Sequence, residues 1–524
     1  MWGFLKYYHS FVASGNINWD SVFIVKIKQV GSIRTNTEYN KLLLGILQIA
    51  GTSKLSAAPT NTDSLFRRNQ VNSDWILKSP IFNRQIRDKL IFIYKNKYQG
   101  ENTYLKIVYN TADFSGENKY EGCVFPDLEY RLLFLSRFWN IINYFAPYKY
   151  LTTNWDSVLV DYIPKIVQSR DSLNYYKTLL QLCKALNDGH SQLTLPNQII
   201  LSDLIFGFYT VPFYCEIVNE KVVIRKISSD SIAKVLDIRR GDIILKMDGE
   251  DVNQIIRKRR KYISASNHSD EDHQLSAFIL DGQTPLAGLT IQRGKDIFNK
   301  TVNRVSTSKR DWGSFINYTA NETGFKKIGD SILYIYAWQI WNGNLDTIKH
   351  LIKQSNAVIF DVRNYPHNDA FFLIADPFLT ESKLINYSTV ARTDLPGFFR
   401  WVPNAKIGRT SDSAFKGKVV ILADERTQSQ GEYSCMVLQT IPHAITIGSQ
   451  TAGTDGVRTE IPMGRDMSMS YSGYGIYYPD KQQTQRIGIK IDIPVNKTIE
   501  AIVNNKDEIL ERALKYLASS NSAN

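Results

Sequence analysis

Two short segments carry the residue types that nucleophilic chemistry needs. Residues 419–433 read Val-Val-Ile-Leu-Ala-Asp-Glu-Arg-Thr-Gln-Ser-Gln-Gly-Glu-Tyr. An apolar run that reads as a buried strand gives way to a polar loop, and a helix begins. A serine at a helix start, here Ser429, has backbone N–H groups beside it that lack intrahelical partners. Those donors would stabilise the oxyanion formed when a serine Oγ attacks a carbonyl. Serine is also well suited to capping the helix, and spacing alone favours that reading. A serine nucleophile also needs a base. Leu186-Asn187-Asp188-Gly189-His190-Ser191 offers one in His190, whose ordinary pKa lies near neutrality. Read alone, His190 is as well explained as a turn histidine that satisfies a helix end.

Other chemical signals are weaker. Arg257-Lys258-Arg259-Arg260-Lys261 is a dense basic run, but only Tyr262 accompanies it, so it reads as a solvated helix face rather than a nucleic-acid surface. His268-Ser269-Asp270-Glu271-Asp272-His273 has ligand-type side chains without a metal-site spacing, and it reads as a polar loop. No Walker or dinucleotide glycine motif occurs, so no nucleotide cofactor is expected. Cys123, Cys183, Cys215 and Cys435 form no C-x-x-C pair, which argues against structural zinc and a disulfide framework.

The elements that must position Ser429 and His190 can be read from pattern. A chain of 524 residues exceeds one hydrophobic core. Its 43% hydrophobic and 22% charged content is that of a soluble globular protein, and the net charge of +12 favours acidic partners only weakly. No apolar run is long enough to span a bilayer. An internal repeat opens the chain. Trp2-Gly3-Phe4-Leu5-Lys6-Tyr7-Tyr8 is echoed from Trp139, and Asn18-Trp19-Asp20-Ser21-Val22 recurs as Asn154-Trp155-Asp156-Ser157-Val158. Both copies have helical apolar spacing, which predicts helical units over 1–51 and 127–204. Between them, 52–126 is polar, with β-like runs at 90–94 and 105–109.

Residues 205–305 read as β-rich, with strands at 211–217 and 221–227, a short helix at 231–236, and an Asp248-Gly249 turn between strands. From 306 to 524 strands and helices alternate. Strands fall at 331–336, 357–362 and 418–423, and helices at 344–354, 432–440 and 505–517. This is the pattern of a parallel sheet covered by helices.

These motifs together resemble the tail-specific, C-terminal-processing serine proteases. Thr427–Tyr433 is similar to that family's T-x-S-x-x-E nucleophile segment, with Ser429 on the nucleophile and Glu432 on the acidic residue. Residues 357–366 resemble its D-L-R-x-N-P-G-G strand and loop. Residues 448–456 resemble its G-x-x-T-x-G-K-G segment, and 485–493 its final strand. Arg240-Gly241-Asp242 with the following apolar strand resembles a PDZ domain, which captures a free C-terminus by strand addition. The carboxylate loop would lie in 205–212.

Two departures stand out. Where one branch of the family has its lysine base, this chain has Thr454, followed by Asp455. His367-Asn368 replaces the paired glycines. Asp188-Gly189-His190-Ser191 instead resembles the histidine-using, tricorn-like branch. That branch places a serine just before its histidine, where Gly189 stands here, and a late glutamate near the position of Gln485.

The resemblance implies a multi-domain α+β protein: helical units, a PDZ-like domain, and a C-terminal α/β domain of the ClpP/crotonase-like type. It implies a serine endopeptidase acting on peptide or protein substrates without metal or organic cofactor. Ser429 would be the nucleophile, His190 the general base, and Glu432 or Asp455 the residue that orients it. Backbone groups of Gln430 and of Asn364 or Tyr365 would bind the oxyanion. A non-catalytic peptide-binding protein is the alternative. The resemblance also implies a periplasmic or envelope location, with a leader absent from this sequence. A cytoplasmic location is the other reading.

Overall fold

A computed structural model describes residues 1–57, 65–66, 71, 73–120, 124–196, 200–310, 323–366, 371–408, 414–464 and 466–519. His367, Asn368 and Cys123 lie outside them.

The sequence repeat is a repeat of hydrogen bonds. In the first copy, the Trp2 indole donates to the Trp19 carbonyl and the Trp19 indole to the Trp2 carbonyl. In the second, Trp139 and Trp155 do the same to each other. Each pair locks its first helix (Trp2–Tyr8 or Leu128–Phe145) against its second (Trp19–Val30 or Trp155–Gln168). A buried Trp N–H needs a partner, and a helical carbonyl keeps a second lone pair with which to accept it. The two units share one hydrophobic core, which also takes in Ile461, Met469, Tyr471 and Tyr477 from the C-terminal region.

The segment between the repeats differs from its pattern. Residues 90–94 were expected to be β-like, yet they belong to a helix, Arg84–Lys95. Ile86, Leu90 and Ile93 bury one face at helical spacing, and the Asn83 side chain caps the start by accepting from the Ile86 N–H. Periodicity here overrides the β preference of Ile and Phe. The other run is a strand, Lys106–Val108.

The central domain is an antiparallel sheet in the order Asp296–Asn303, Leu286–Arg293, Ile243–Met247, Lys221–Ile227, Phe213–Val218. Phe213–Val218 is its edge. The acidic cluster at 268–273, expected as loop, is the start of a helix, His268–Ser276. Asn267 caps it by accepting from the Asp270 N–H, and it packs beside the edge strand. The basic run ends the helix Val252–Arg260; Arg257 and Lys258 are solvated as expected, whereas Arg259 and Arg260 are half-buried, bonded to the Asp281 carbonyl and to Asp272. A cavity of about 210 Å³ opens between the strand and the residues after the helix, lined by Val211, Phe213, Cys215, Ile279 and Leu280 among others. Residues 205–212 approach it through the end of the helix Leu201–Phe206 and the short strand Tyr209–Thr210.

The C-terminal domain has a six-stranded sheet in the order Phe325–Ile328, Ile332–Tyr336, Ala357–Asp361, Lys418–Ala423, Ile445–Gly448, Ile493–Pro494, parallel after the first pair. Apart from the buried Asp361 and the half-buried Lys418 at their ends, its inner strands Ala357–Asp361 and Lys418–Ala423 are apolar and buried, as a sheet covered on both faces requires. The strand expected at 485–493 is confined to its last residues, and 485–492 runs as a loop. The closing helix is Glu508–Ser519, preceded by a shorter one, Ile499–Asn504. None of the described helices is long and apolar enough to cross a membrane.

Candidate active site

The strand Lys418–Ala423 ends in the middle of the sheet, and the chain turns through Asp424–Gln428 into the helix Gln430–Leu438. Asp424 pairs with Arg426, and the Thr427 hydroxyl donates to the Val362 carbonyl, tying this turn to the end of the neighbouring strand. Ser429 sits at the helix start with φ +51° and ψ −113°. A non-glycine residue in that region costs on the order of 1–3 kcal/mol and persists only where its surroundings enforce it.

Those surroundings can be named. The Ser429 N–H donates to the Thr454 carbonyl at 2.9 Å and points toward Glu432 Oε2 at 3.3 Å. Glu432 is fully buried and also accepts from the Thr451 hydroxyl (2.6 Å), the Gly453 N–H (2.8 Å) and the Thr454 N–H (2.8 Å). It therefore clamps residues 451–454 onto the start of the serine helix. Burial, with Asp455 nearby, pushes its carboxyl up to about 8, against the pull of those donors.

Gln430 is the first residue of the helix, where the N–H has no intrahelical acceptor. The next N–H, of Gly431, is used by the Gln428 carbonyl at 2.8 Å. Pro366 and the Val362 carbonyl lie just under 4 Å from the position a Gly431 Cβ would take. Residues 363–366 are thereby placed along the helix start. Asn364 is buried, and Tyr365 is 46% exposed. Arg363 anchors this loop through Asp361 and Asp507.

His190 reaches the same region from the helical domain. The segment after it pairs with the strand Met467–Ser472, Leu193 opposite Met469 and Thr194 opposite Ser468. The Ser470 hydroxyl donates to the His190 carbonyl at 2.6 Å. Gly189 packs against Thr454: a Cβ there would meet Thr454 Oγ1 at 2.3 Å. The Gly189 N–H donates to Ser266 Oγ, which in turn bonds Thr454 Oγ1 at 2.7 Å. Thr454 thus joins both segments, its carbonyl on Ser429 and its hydroxyl group beside Gly189.

The His190 ring is buried, which lowers its pKa from the ordinary value; Asp188 opposes this shift and Arg458 adds to it. Among the described residues no hydrogen bond joins Ser429 to His190, and in free enzymes such bonds are commonly long until substrate is bound.

The expected orienting residues lie elsewhere. Glu432 is spent on the 451–454 loop. Asp455 accepts from the Gly456 N–H at 2.8 Å, and its own N–H donates to Gln485 Oε1 at 3.3 Å. Burial pushes its carboxyl up to about 7. His190 Nδ1 instead lies 3.0 Å from Ser472 Oγ. Sequence reading missed Ser472, which is 282 positions away and carries no local motif.

Comparison with known proteins fits this architecture. Residues 331–495 match Peptidase family S41, and residues 208–319 match the PDZ domain. A Carboxy-terminal-processing protease of Bartonella bacilliformis is 26% identical over 143 residues, 27% of this chain and 31% of that protein. The chain therefore spans less than a third of this curated relative. Two solved structures of mature CPAF share the fold. One, complexed with lactacystin, has a TM-score of 0.57 at 13% identity, covering 74% of this chain and 98% of that one. The other has a TM-score of 0.58 at 12% identity, covering 76% and 99%. In this chain a match to the PDZ domain thus precedes a match to Peptidase family S41, the order in which the central and C-terminal domains stand in the fold.

Proposed function

We propose that this chain is a serine endopeptidase that cleaves peptides or proteins near their C-termini. The observation that carries the reading is the placement of Ser429: left-handed backbone at the mouth of a parallel sheet, on a helix start, with the His190 segment held against the same threonine. Ser429 Oγ attacks the scissile carbonyl. His190, neutral because it is buried, takes the proton and returns it to the leaving amine. The Gln430 N–H receives the developing oxyanion, with a second donor from residues 364–365. Water then hydrolyses the acyl-enzyme. Glu432 and Asp455 shape the loop that carries Thr454 and do not take part in proton transfer.

The edge strand Phe213–Val218 with its apolar cavity supplies the groove for the substrate's tail, by strand addition. An envelope location follows from the family resemblance, and fractionation of cells expressing the natural gene tests it.

The substrate reading is tested with a decapeptide ending in Ala-Ala-Val, as the free acid and as the amide. The free acid should be cleaved with a kcat/KM at least roughly tenfold higher, since one lost charge-assisted carboxylate contact is worth about 1.5–3 kcal/mol. Equal cleavage of both would remove the requirement for a C-terminus and favour an unspecialised amidase.

A further inference from the structure

The histidine of this site is held by neither of the buried acids beside the serine, yet its ring is not unattended. Ser472 Oγ lies 3.0 Å from His190 Nδ1 and itself donates to Asp188 Oδ1 at 2.8 Å. Asp188 is in the same turn as the histidine, and it is buried. Its carboxylate gathers further donors: the Ser472 N–H on Oδ2 at 2.7 Å, the His190 N–H on Oδ1 at 3.1 Å, and the Gln485 amide on Oδ1 at 3.2 Å. Gln485 is held in turn by Ser266 and by the Asp455 N–H. A carboxylate surrounded by donors acts only as an acceptor. The proton between Ser472 and Asp188 therefore belongs to Ser472.

A hydroxyl has one hydrogen to give, and Ser472 has given it to Asp188. Toward His190 it can only accept, so the hydrogen between them is on Nδ1. That leaves the lone pair on Nε2, the nitrogen with no hydrogen bond among the described residues. The geometry points to Ser472 and Asp188 as the positioning pair of the proposed peptidase reaction. Asp188 orients the Ser472 hydroxyl, and Ser472 fixes His190 in the tautomer that leaves Nε2 basic. The inference rests on the reading of His190 as the base. It assigns the orienting task to a serine on the strand Met467–Ser472, backed by an aspartate two residues before the histidine.

The arrangement explains why the pair is split across the chain. A side chain at Gly189 would meet Thr454, so the residue before the histidine does not supply the partner of Nδ1. The strand pairing that brings Ser470 onto the His190 carbonyl delivers Ser472 to the ring, two residues further along the same face. When His190 takes a proton from Ser429, the new imidazolium is stabilised by Asp188 through this hydroxyl. The charged groups that face the ring are Asp188 and Arg458.

The test is nitrogen-15 imidazole NMR of the full chain, with the His190 signals identified by their loss in His190→Ala. The wild type should show Nδ1–H with Nε2 unprotonated near pH 8, and Ser472→Ala should shift the population toward Nε2–H. In parallel, Ser472→Ala should lower kcat by roughly 10- to 1,000-fold with KM changed less than about threefold, as a lost tautomer preference would. Asp188→Asn should lower kcat and move the acid limb of its pH profile to lower pH, because a charge that favours imidazolium is gone. A wild-type His190 protonated on Nε2, or a Ser472→Ala protein with unchanged tautomer and kcat, would overturn the assignment. The NMR readout does not need turnover. If the protein proves inactive on every peptide, the tautomer still decides this inference while the peptidase reading fails separately.

Discussion

Ser429 and His190 are the two residues on which the proposed chemistry turns, and contacts with other segments hold both in place. Ser429 is held at φ +51° by the Thr454 carbonyl and the Glu432 clamp. His190 is buried, and burial lowers its pKa. A base must be neutral to act, so the proposed reaction should lose rate only as pH falls below the ordinary histidine value of about 6.5. The profile of kcat/KM against pH checks this: a plateau through neutrality with the acid limb below 6.5. A limb above pH 7 would point to a different base. Both could be singled out as candidates from sequence, because each stands in a short local motif. Their support could not. Ser472 reaches the histidine from 282 positions away, through strand pairing that no local pattern encodes, and Gln485, marked only by the family resemblance, arrives by loop packing.

Among the elements, the loop 451–454 does most to assemble the site. It carries Thr454 to both Ser429 and Gly189, and Glu432 accepts from three of its donors while the Thr427 carbonyl takes the Ala452 N–H. Glu432→Ala should therefore leave buried N–H groups of Gly453 and Thr454 and the Thr451 hydroxyl without partners, at about 1–3 kcal/mol each before relaxation. Urea unfolding should show a loss of about 3 kcal/mol or more, and reactivity at Ser429 should fall with it. A loss below about 1 kcal/mol would mean the loop holds itself. The long apolar strands of the C-terminal sheet were legible because a buried parallel strand has no polar face to obscure it. The helix Arg84–Lys95 was misread because its β-preferring residues hide a helical spacing, and His268–Ser276 because its polar start resembles a loop until Asn267 is seen as a cap.

At the scale of the whole molecule, buried charges tie the domains together. Lys6, Asp20, Glu117 and Arg137 form a network with fully buried side chains, and Arg137 also donates to the Pro462 carbonyl in the strand Arg458–Gly464. That strand pairs with the one carrying Ser472, so the helical repeat supports the histidine's partner. Between the other domains, Lys497 bridges Glu216 on the edge strand of the PDZ domain and Glu425 in the turn before Ser429. Removing one member of a buried network strands its partners. Arg137→Met should cost about 3–5 kcal/mol, read as a lowered denaturation midpoint. Burial raises the Asp20 carboxyl, but Lys6 and Arg137 outweigh it and hold the group well below the usual range. Its stabilisation is present above the unfolded value near 4 and is lost as pH falls below it. The variant should accordingly show a weaker dependence of stability on pH in the acid range. The repeat itself was plain in the sequence, but its charges were not. Nothing in the repeat motif marks Lys6 and Asp20 as a buried pair, which Glu117 and Arg137 complete from elsewhere in the chain.

The most direct test of the account is the reaction of the purified protein with a fluorophosphonate, followed by intact-mass measurement and peptide mapping. The account predicts a single adduct on Ser429, absent in Ser429→Ala and slowed at least about a hundredfold in His190→Ala. A well-folded wild type that takes no adduct, or takes it on another serine, would contradict the assignment of Ser429 as the nucleophile.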